Sequence, residues 1–238
     1  MNDLRGVVAT ACRMLAHQGL AADVLGHVSV RLDADRILLR CRGPADRGLL
    51  FTVPDDIRVV HLDGRVDVAG GYAVPNEVHI HTELFRARPD VQAIVHAHPS
   101  DVMVADLAGL EPRQVFGAYN IPASRLAYRG VPVYPRAVLI RTPELGRAVA
   151  AAVGESAACI LRGHGIVTAG ESVEQATMCA LDLAELSRIT AEIKRLGGAP
   201  EPLPDKDRDE LPDLGASFND SSRWRHYASR LEIAGLAL

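Results

Sequence analysis

Val95-His96-Ala97-His98-Pro99 closes an apolar run from Val91 to Val95, and that run reads as a buried strand. Side chains alternate faces along a strand, so residues two apart point the same way. His96 and His98 therefore project together from the strand's end, where two imidazoles can take two positions on one divalent ion. A third candidate, His164, stands in Leu161-Arg162-Gly163-His164-Gly165, just past the apolar run from Ala157 to Leu161. Any one of these could be an ordinary histidine. A His-x-His at one strand end with a Gly-flanked His at another favours metal ligands.

Working outward, helices and strands alternate. Leu4, Val7, Val8, Ala11 and Leu15 repeat at helical spacing and Gly19 supplies a stop. Gly26 to Arg31 reads as a strand, with Arg36 to Arg40 its hairpin partner across Asp33-Ala34-Asp35. The Gly- and Pro-bearing stretch Cys41 to Gly48 is a loop carrying Arg42 and Arg47, whose guanidinium forks suit carboxylates. Val59 to Leu62 and Arg65 to Val68 read as a second hairpin about Asp63-Gly64, ended by Gly70-Gly71. Asn76 to Arg88 predicts a helix, with Asn76 as N-cap, Glu77 in the first turn and Pro89 as the stop. His79 and His81 fall on different faces of that helix and read as non-ligands.

Ser100 to Leu107 predicts a short helix, and Val115 to Pro122 an irregular, pocket-lining segment that includes Tyr119. Val131 to Tyr134 reads as a strand, and Thr142-Pro143-Glu144 opens a helix. Ala157 to Leu161 is a strand that Ile166 to Ala169 continues. Ser172-Val173-Glu174-Gln175 has capping-box form and starts the longest helix, which runs to Gly197-Gly198. Residues 199–214, rich in Pro and Asp, read as extended, and Trp224 to Tyr227 as helical. The expected organisation is one domain over residues 1–198. Residues 199–238 form a tail that packs on it or on a neighbouring subunit.

Composition narrows the function. The 238 residues are 48% apolar with formal charge −4, and Lys and Arg form no block, which argues against nucleic acid as a partner. No apolar run is long enough to cross a membrane, and the first residues lack the order of a signal peptide. Cys12, Cys41, Cys159 and Cys179 show no C-x-x-C and sit beside apolar neighbours, so they read as core thiols in a reducing cytoplasm.

Glu77, Arg88-Pro89-Asp90-Val91, His96-Ala97-His98, and Leu161 to Gly165 followed by Val173-Glu174-Gln175-Ala176 together resemble the class II aldolase/adducin family. The resemblance runs from the first helix to about Leu196. It implies an α/β fold: a three-layer αβα sandwich around a central, mostly antiparallel sheet. It further implies a homotetramer with sites between subunits. One divalent ion per subunit (zinc or manganese, or else iron or cobalt) would be held by His96, His98 and His164. Glu77 matches the family's acid/base residue, which can also touch the metal.

The departures from the family pattern bear on the substrate. Sugar-phosphate members carry Gly-Asn-x-Ser where this chain has Gly26-His27-Val28-Ser29, and Ser-Ser-Glu where it has Pro75-Asn76-Glu77. Pro75 has neither a hydroxyl nor an N–H to offer a phosphate. Gly26 to Arg31, Arg42-Gly43-Pro44, Gly117 to Pro122 and Leu161 to Gly165 resemble instead the family's decarboxylases of hydroxylated aromatic acids. That likeness implies loss of CO2 from a small aromatic dicarboxylate such as 3,4-dihydroxyphthalate, giving protocatechuate. It makes Glu77 and Tyr119 catalytic and His27, Ser29, Arg42, Arg47, Asn76 and Trp224 substrate contacts. A metal would lower the energy of charge left on the phenol oxygen, and Glu77, with a raised pKa, would protonate the ring carbon. Two alternatives remain: an aldolase acting on a non-phosphorylated or sugar-phosphate substrate, and a non-catalytic adducin-like module. The second fits poorly with three retained histidines.

Overall fold

A computed structural model describes residues 2–21, 23–63, 65 and 70–238. Seven strands among them form one sheet: β1 (His27–Arg31), β2 (Arg36–Arg40), β3 (Ile57–His61), β4 (Ala93–Ala97), β5 (Val133–Tyr134), β6 (Ala158–Leu161) and β7 (Gly165–Gly170). Their order is β3-β2-β1-β4-β7-β6-β5, and β5–β6 is the one parallel pair. β4 lies at the centre, buried along its whole length, which is why its sequence is nearly unbroken in apolarity. Alternation divides its side chains between two cores. Ala93, Val95 and Ala97 enter one, and Ile94 enters the other.

Those two cores make the three layers expected from the sequence. The first is built with α1 (Asn2–His17), α6 (Val173–Arg195) and α8 (Arg223–Ile233), the second with α2 (Val78–Ala87) and α5 (Pro143–Val153). Gly146 brings α5 hard against α2, since a Cβ there would fall 2.5 Å from the His79 carbonyl oxygen. Shorter helices α3 (Ser100–Leu107), α4 (Ile121–Leu126) and α7 (Asp205–Glu210) complete the set. All four cysteines are buried and unpaired. No helix among the described residues is long and apolar enough to cross a membrane.

Several local expectations change. Ile166 to Ala169 does not continue β6. The chain turns at residues 162–164, where Gly163 has φ +58°, and β7 runs back antiparallel to β6. The segment around Pro122 is not irregular throughout, because Asn120 caps α4 by accepting from the Ala123 N–H at 3.2 Å. Residues 199–214 are not wholly extended, since α7 interrupts them. The Ser172 hydroxyl accepts from the Gln175 N–H, but the Gln175 side chain accepts from Glu171, so the capping box is only half made. Of the second hairpin, β3 is present and His61 N–H donates to the Arg65 carbonyl. Gly64 and residues 66–69 lie outside the described residues. Glu77, not Asn76, occupies the cap position of α2, and its side chain makes no capping bond.

Candidate metal centre

Three elements meet at one end of β4. The strand itself carries His96 and, ending at Ala97, delivers His98 one residue beyond, where the His98 N–H donates to the Leu20 carbonyl at 2.9 Å. The start of α2 supplies Glu77 and the β6–β7 turn supplies His164. Gly165 permits that turn to close, because a Cβ there would collide with the Ala97 carbonyl and stand 2.8 Å from the His98 ring. Asp106, buried at the end of α3, accepts from the Gly163 N–H at 2.8 Å and pairs with Arg162 at 3.0 Å. It thus holds the turn that carries His164, a role the sequence did not signal.

His96 Nε2 and His98 Nε2 stand 2.8 Å apart. Glu77 Oε2 lies 3.3 Å from His96 Nε2 and 3.3 Å from His164 Nε2, and the four candidate ligand atoms all fall within 4.8 Å of one another. Two ligands 2.0–2.1 Å from a tetrahedral ion stand about 3.3 Å apart, so the spacing suits one small divalent ion. His96 Nδ1 is 2.9 Å from the Ile166 carbonyl oxygen, to which it donates. That bond fixes the orientation of the ring and turns Nε2 toward the cluster, the position from which it could ligate. Burial and the adjacent His96 and His164 push His98 down to about 3, so its imidazole is neutral and able to ligate.

Glu77 departs from expectation. Burial pushes its carboxyl up, but hydrogen bonds from His164 and His96, with the Ile140 N–H at 2.9 Å, outweigh burial and hold it well below the usual carboxylate range. Glu77 is therefore an ionised base or ligand at rest, and the expected raised pKa is corrected.

Beside this cluster lies a second group. His27 pairs with His96 across β1 and β4, their ring centroids 4.9 Å apart. His27 Nδ1 is 2.7 Å from His81 Nε2, and His81 Nδ1 is 2.5 Å from Ser29 Oγ. Burial, reinforced by neighbouring histidines, lowers both imidazoles, His81 to about 3. Ser29 is fully buried and spends its hydroxyl on His81, so it is not a direct substrate contact. His81 lies outside the four-residue cluster, and its link to His27, 54 residues away, has no local sequence signal.

The remaining candidates are dispersed. Asn76 is exposed beside Glu77. Arg42 pairs its backbone with Ala73, and the Arg47 guanidinium lies over the Phe51 ring at 4.7 Å. Tyr119 is 68% exposed and donates to Glu185 on α6 at 2.8 Å. Trp224 packs on the α1–α6 core, whereas His96 projects with Ile94 to the opposite face of the sheet. Among the described residues no hydrogen bond or ion pair joins Arg42, Arg47, Tyr119 or Trp224 to the cluster within one subunit.

Residues 7–191 match the Class II Aldolase and Adducin N-terminal domain. The chain is 50% identical over 234 residues to a 3,4-dihydroxyphthalate decarboxylase of Arthrobacter keyseri, covering 97% of this chain and 94% of that one. It is 45% identical over 230 residues to a 3,4-dihydroxyphthalate decarboxylase of Rhodococcus jostii, covering 95% of each. Its fold matches an aldolase II superfamily protein of Pseudomonas syringae with a TM-score of 0.81 at 21% identity, across 99% of this chain and 94% of that one.

Proposed function

The chain belongs to the class II aldolase and adducin family, and from that premise we propose that it is a carboxy-lyase releasing CO2 from 3,4-dihydroxyphthalate without oxidation. The observation that carries this reading is a complete Glu77-His96-His98-His164 cluster in a chain half identical to a protein of that activity. Pro75 supports it as well, since a buried proline offers a phosphate no hydrogen bond.

In the proposed reaction the bond from the ring to the carboxylate breaks, CO2 leaves, and the electron pair stays with the ring. A divalent ion, zinc or manganese by the donor set, supplies a Lewis acid that lowers the energy of negative charge on the neighbouring phenol oxygen. Glu77, ionised at rest, takes the phenol proton and returns it to the ring carbon that lost CO2. The Ile140 N–H holds one oxygen of Glu77, which leaves the other to exchange the proton. Arg42 or Arg47 supplies positive charge for the carboxylate that stays. Tyr119 and Trp224 take part from a neighbouring subunit of a homotetramer, with residues 199–238 packed on their own domain or across that interface. A reducing cytoplasm is the setting that suits four buried free thiols.

Metal-loaded protein mixed with 3,4-dihydroxyphthalate is expected to release CO2 and protocatechuate. A chelator should abolish turnover and added divalent ion restore it. Cleavage of a sugar phosphate with no CO2 from any hydroxyaromatic acid overturns the reading in favour of an aldolase.

A further inference from the structure

Three polar side chains outside the candidate metal ligands form one hydrogen-bonded line that ends beside them. Ser29 Oγ stands 2.5 Å from His81 Nδ1, and His81 Nε2 stands 2.7 Å from His27 Nδ1. Ser29 and His81 are fully buried, while His27 retains 6% exposure. On β1, residues two apart share a face, so His27 and Ser29 point together toward α2, which lays His81 against both. His27 faces His96 across the β1–β4 pairing, and its Nε2 has no hydrogen-bond partner among the described residues.

An uncharged line of this kind can place its protons in two ways. In one, His81 donates from Nδ1 to Ser29 and His27 donates from Nδ1 to His81. The Ser29 hydroxyl hydrogen then has no acceptor among the described residues, and His27 Nε2 is bare. In the other, Ser29 donates to His81 Nδ1, His81 donates from Nε2 to His27 Nδ1, and His27 carries its own proton on Nε2. A donor left unpaired is costly where no water can reach it, as at the fully buried Ser29, whereas His27 keeps 6% exposure and its Nε2–H can meet water or substrate, so the second arrangement prevails. The choice is made at Ser29 and read out at His27.

We propose that Ser29, acting through His81, fixes neutral His27 in the tautomer protonated on Nε2, and that His27 thereby donates a hydrogen bond to a carboxylate of the substrate at the rim of the metal centre. Ser29 and His81 are positioning residues, and only His27 touches the substrate. The identity of the acceptor rests on the decarboxylase reading; the tautomer does not. A fixed donor gives its hydrogen bond to an anionic oxygen and offers nothing to a group that can only donate, so the line makes this rim favour the ionised acid.

Long-range 1H–15N NMR of histidine-labelled, zinc-loaded protein reads each tautomer without substrate, with His27 and His81 assigned by their single Asn variants. The expected result is His27 and His81 both protonated on Nε2 in the wild type. Ser29→Ala, which removes the bias, should leave a mixture of tautomers, and Ser29→Thr, which keeps the hydroxyl, should restore the single form. His27→Gln, whose amide N–H reaches the place of Nε2, should keep KM for 3,4-dihydroxyphthalate near the wild-type value. His27→Asn, whose amide reaches only the place of Nδ1, should raise KM about tenfold with kcat changed less, the loss of one hydrogen bond to a charged group. Wild-type His27 protonated on Nδ1, or a Ser29→Ala variant with an unchanged tautomer, overturns the positioning line. Equal KM values for the Gln and Asn variants overturn the donor role. If no CO2 is released from this substrate at all, the decarboxylase reading fails, and the NMR result still decides the line by itself.

Discussion

Glu77 illustrates how far a single residue's chemistry depends on groups distant in sequence. Its oxygens meet the Ile140 N–H, 63 residues away, and the two histidines His96 and His164. That environment favours the charge, which the helix position alone does not settle. Glu77→Gln keeps the size and the hydrogen bonding but cannot carry a proton. It is expected to fold normally and retain much of its metal, with kcat lowered roughly a hundredfold or more. Turnover near the wild-type rate with metal bound would move the proton transfer elsewhere. The three candidate histidine ligands were legible because each sits in a short local motif, a strand-end His-x-His and a Gly-flanked turn. The sign of the Glu77 shift and the Ser29-His81-His27 line were not legible, because both depend on contacts between separate elements.

At the scale of elements, the long helix α6 and the strands around it were read within one or two residues, since apolar period and end signals coincide there. The tail was harder. Its Pro and Asp content predicts extended chain, and nothing local shows that α8 is clamped onto α6. The clamp is Arg223, which donates to Asp182 at 2.5 and 2.8 Å while Asn120 donates to the same carboxylate at 3.1 Å. Asp182 is 4% exposed, and burial pushes its carboxyl up even against these bonds. Arg223→Met leaves that carboxylate buried without its cation and is expected to cost about 3–5 kcal/mol in urea unfolding near neutral pH. The sign of the pH dependence follows. A folded-state pKa above the unfolded value favours folding while the acid is protonated and loses that contribution as pH rises through the folded value. Removing Arg223 raises the folded value further, so the deficit of the variant should shrink between neutral pH and about pH 4. A deficit independent of pH would show that Arg223 acts through packing alone.

At the scale of the whole molecule, the candidate metal centre lies next to apolar surface that the chain leaves open. Leu107 is 70% exposed and Val104 59%, both on α3, the helix whose Asp106 holds the His164 turn. A Cβ on Gly163 would stand 4.0 Å from a Leu107 methyl, so this surface touches the turn itself. Scattered exposed apolar residues are ordinary; here their position bordering the centre favours an interface that completes the site. Tyr119 and Trp224, which no hydrogen bond or ion pair among the described residues joins to the cluster, fit the same arrangement. Light scattering at assay concentration is expected to give four times the 25.5 kDa chain mass. Leu107→Glu should divide the assembly and lower kcat/KM at least roughly tenfold, the scale expected when site groups are displaced. Metal content should survive that substitution, because Glu77, His96, His98 and His164 all come from one chain. Measuring metal and activity together thus separates a lost interface from a lost centre, and a fully active wild-type monomer would overturn the shared site.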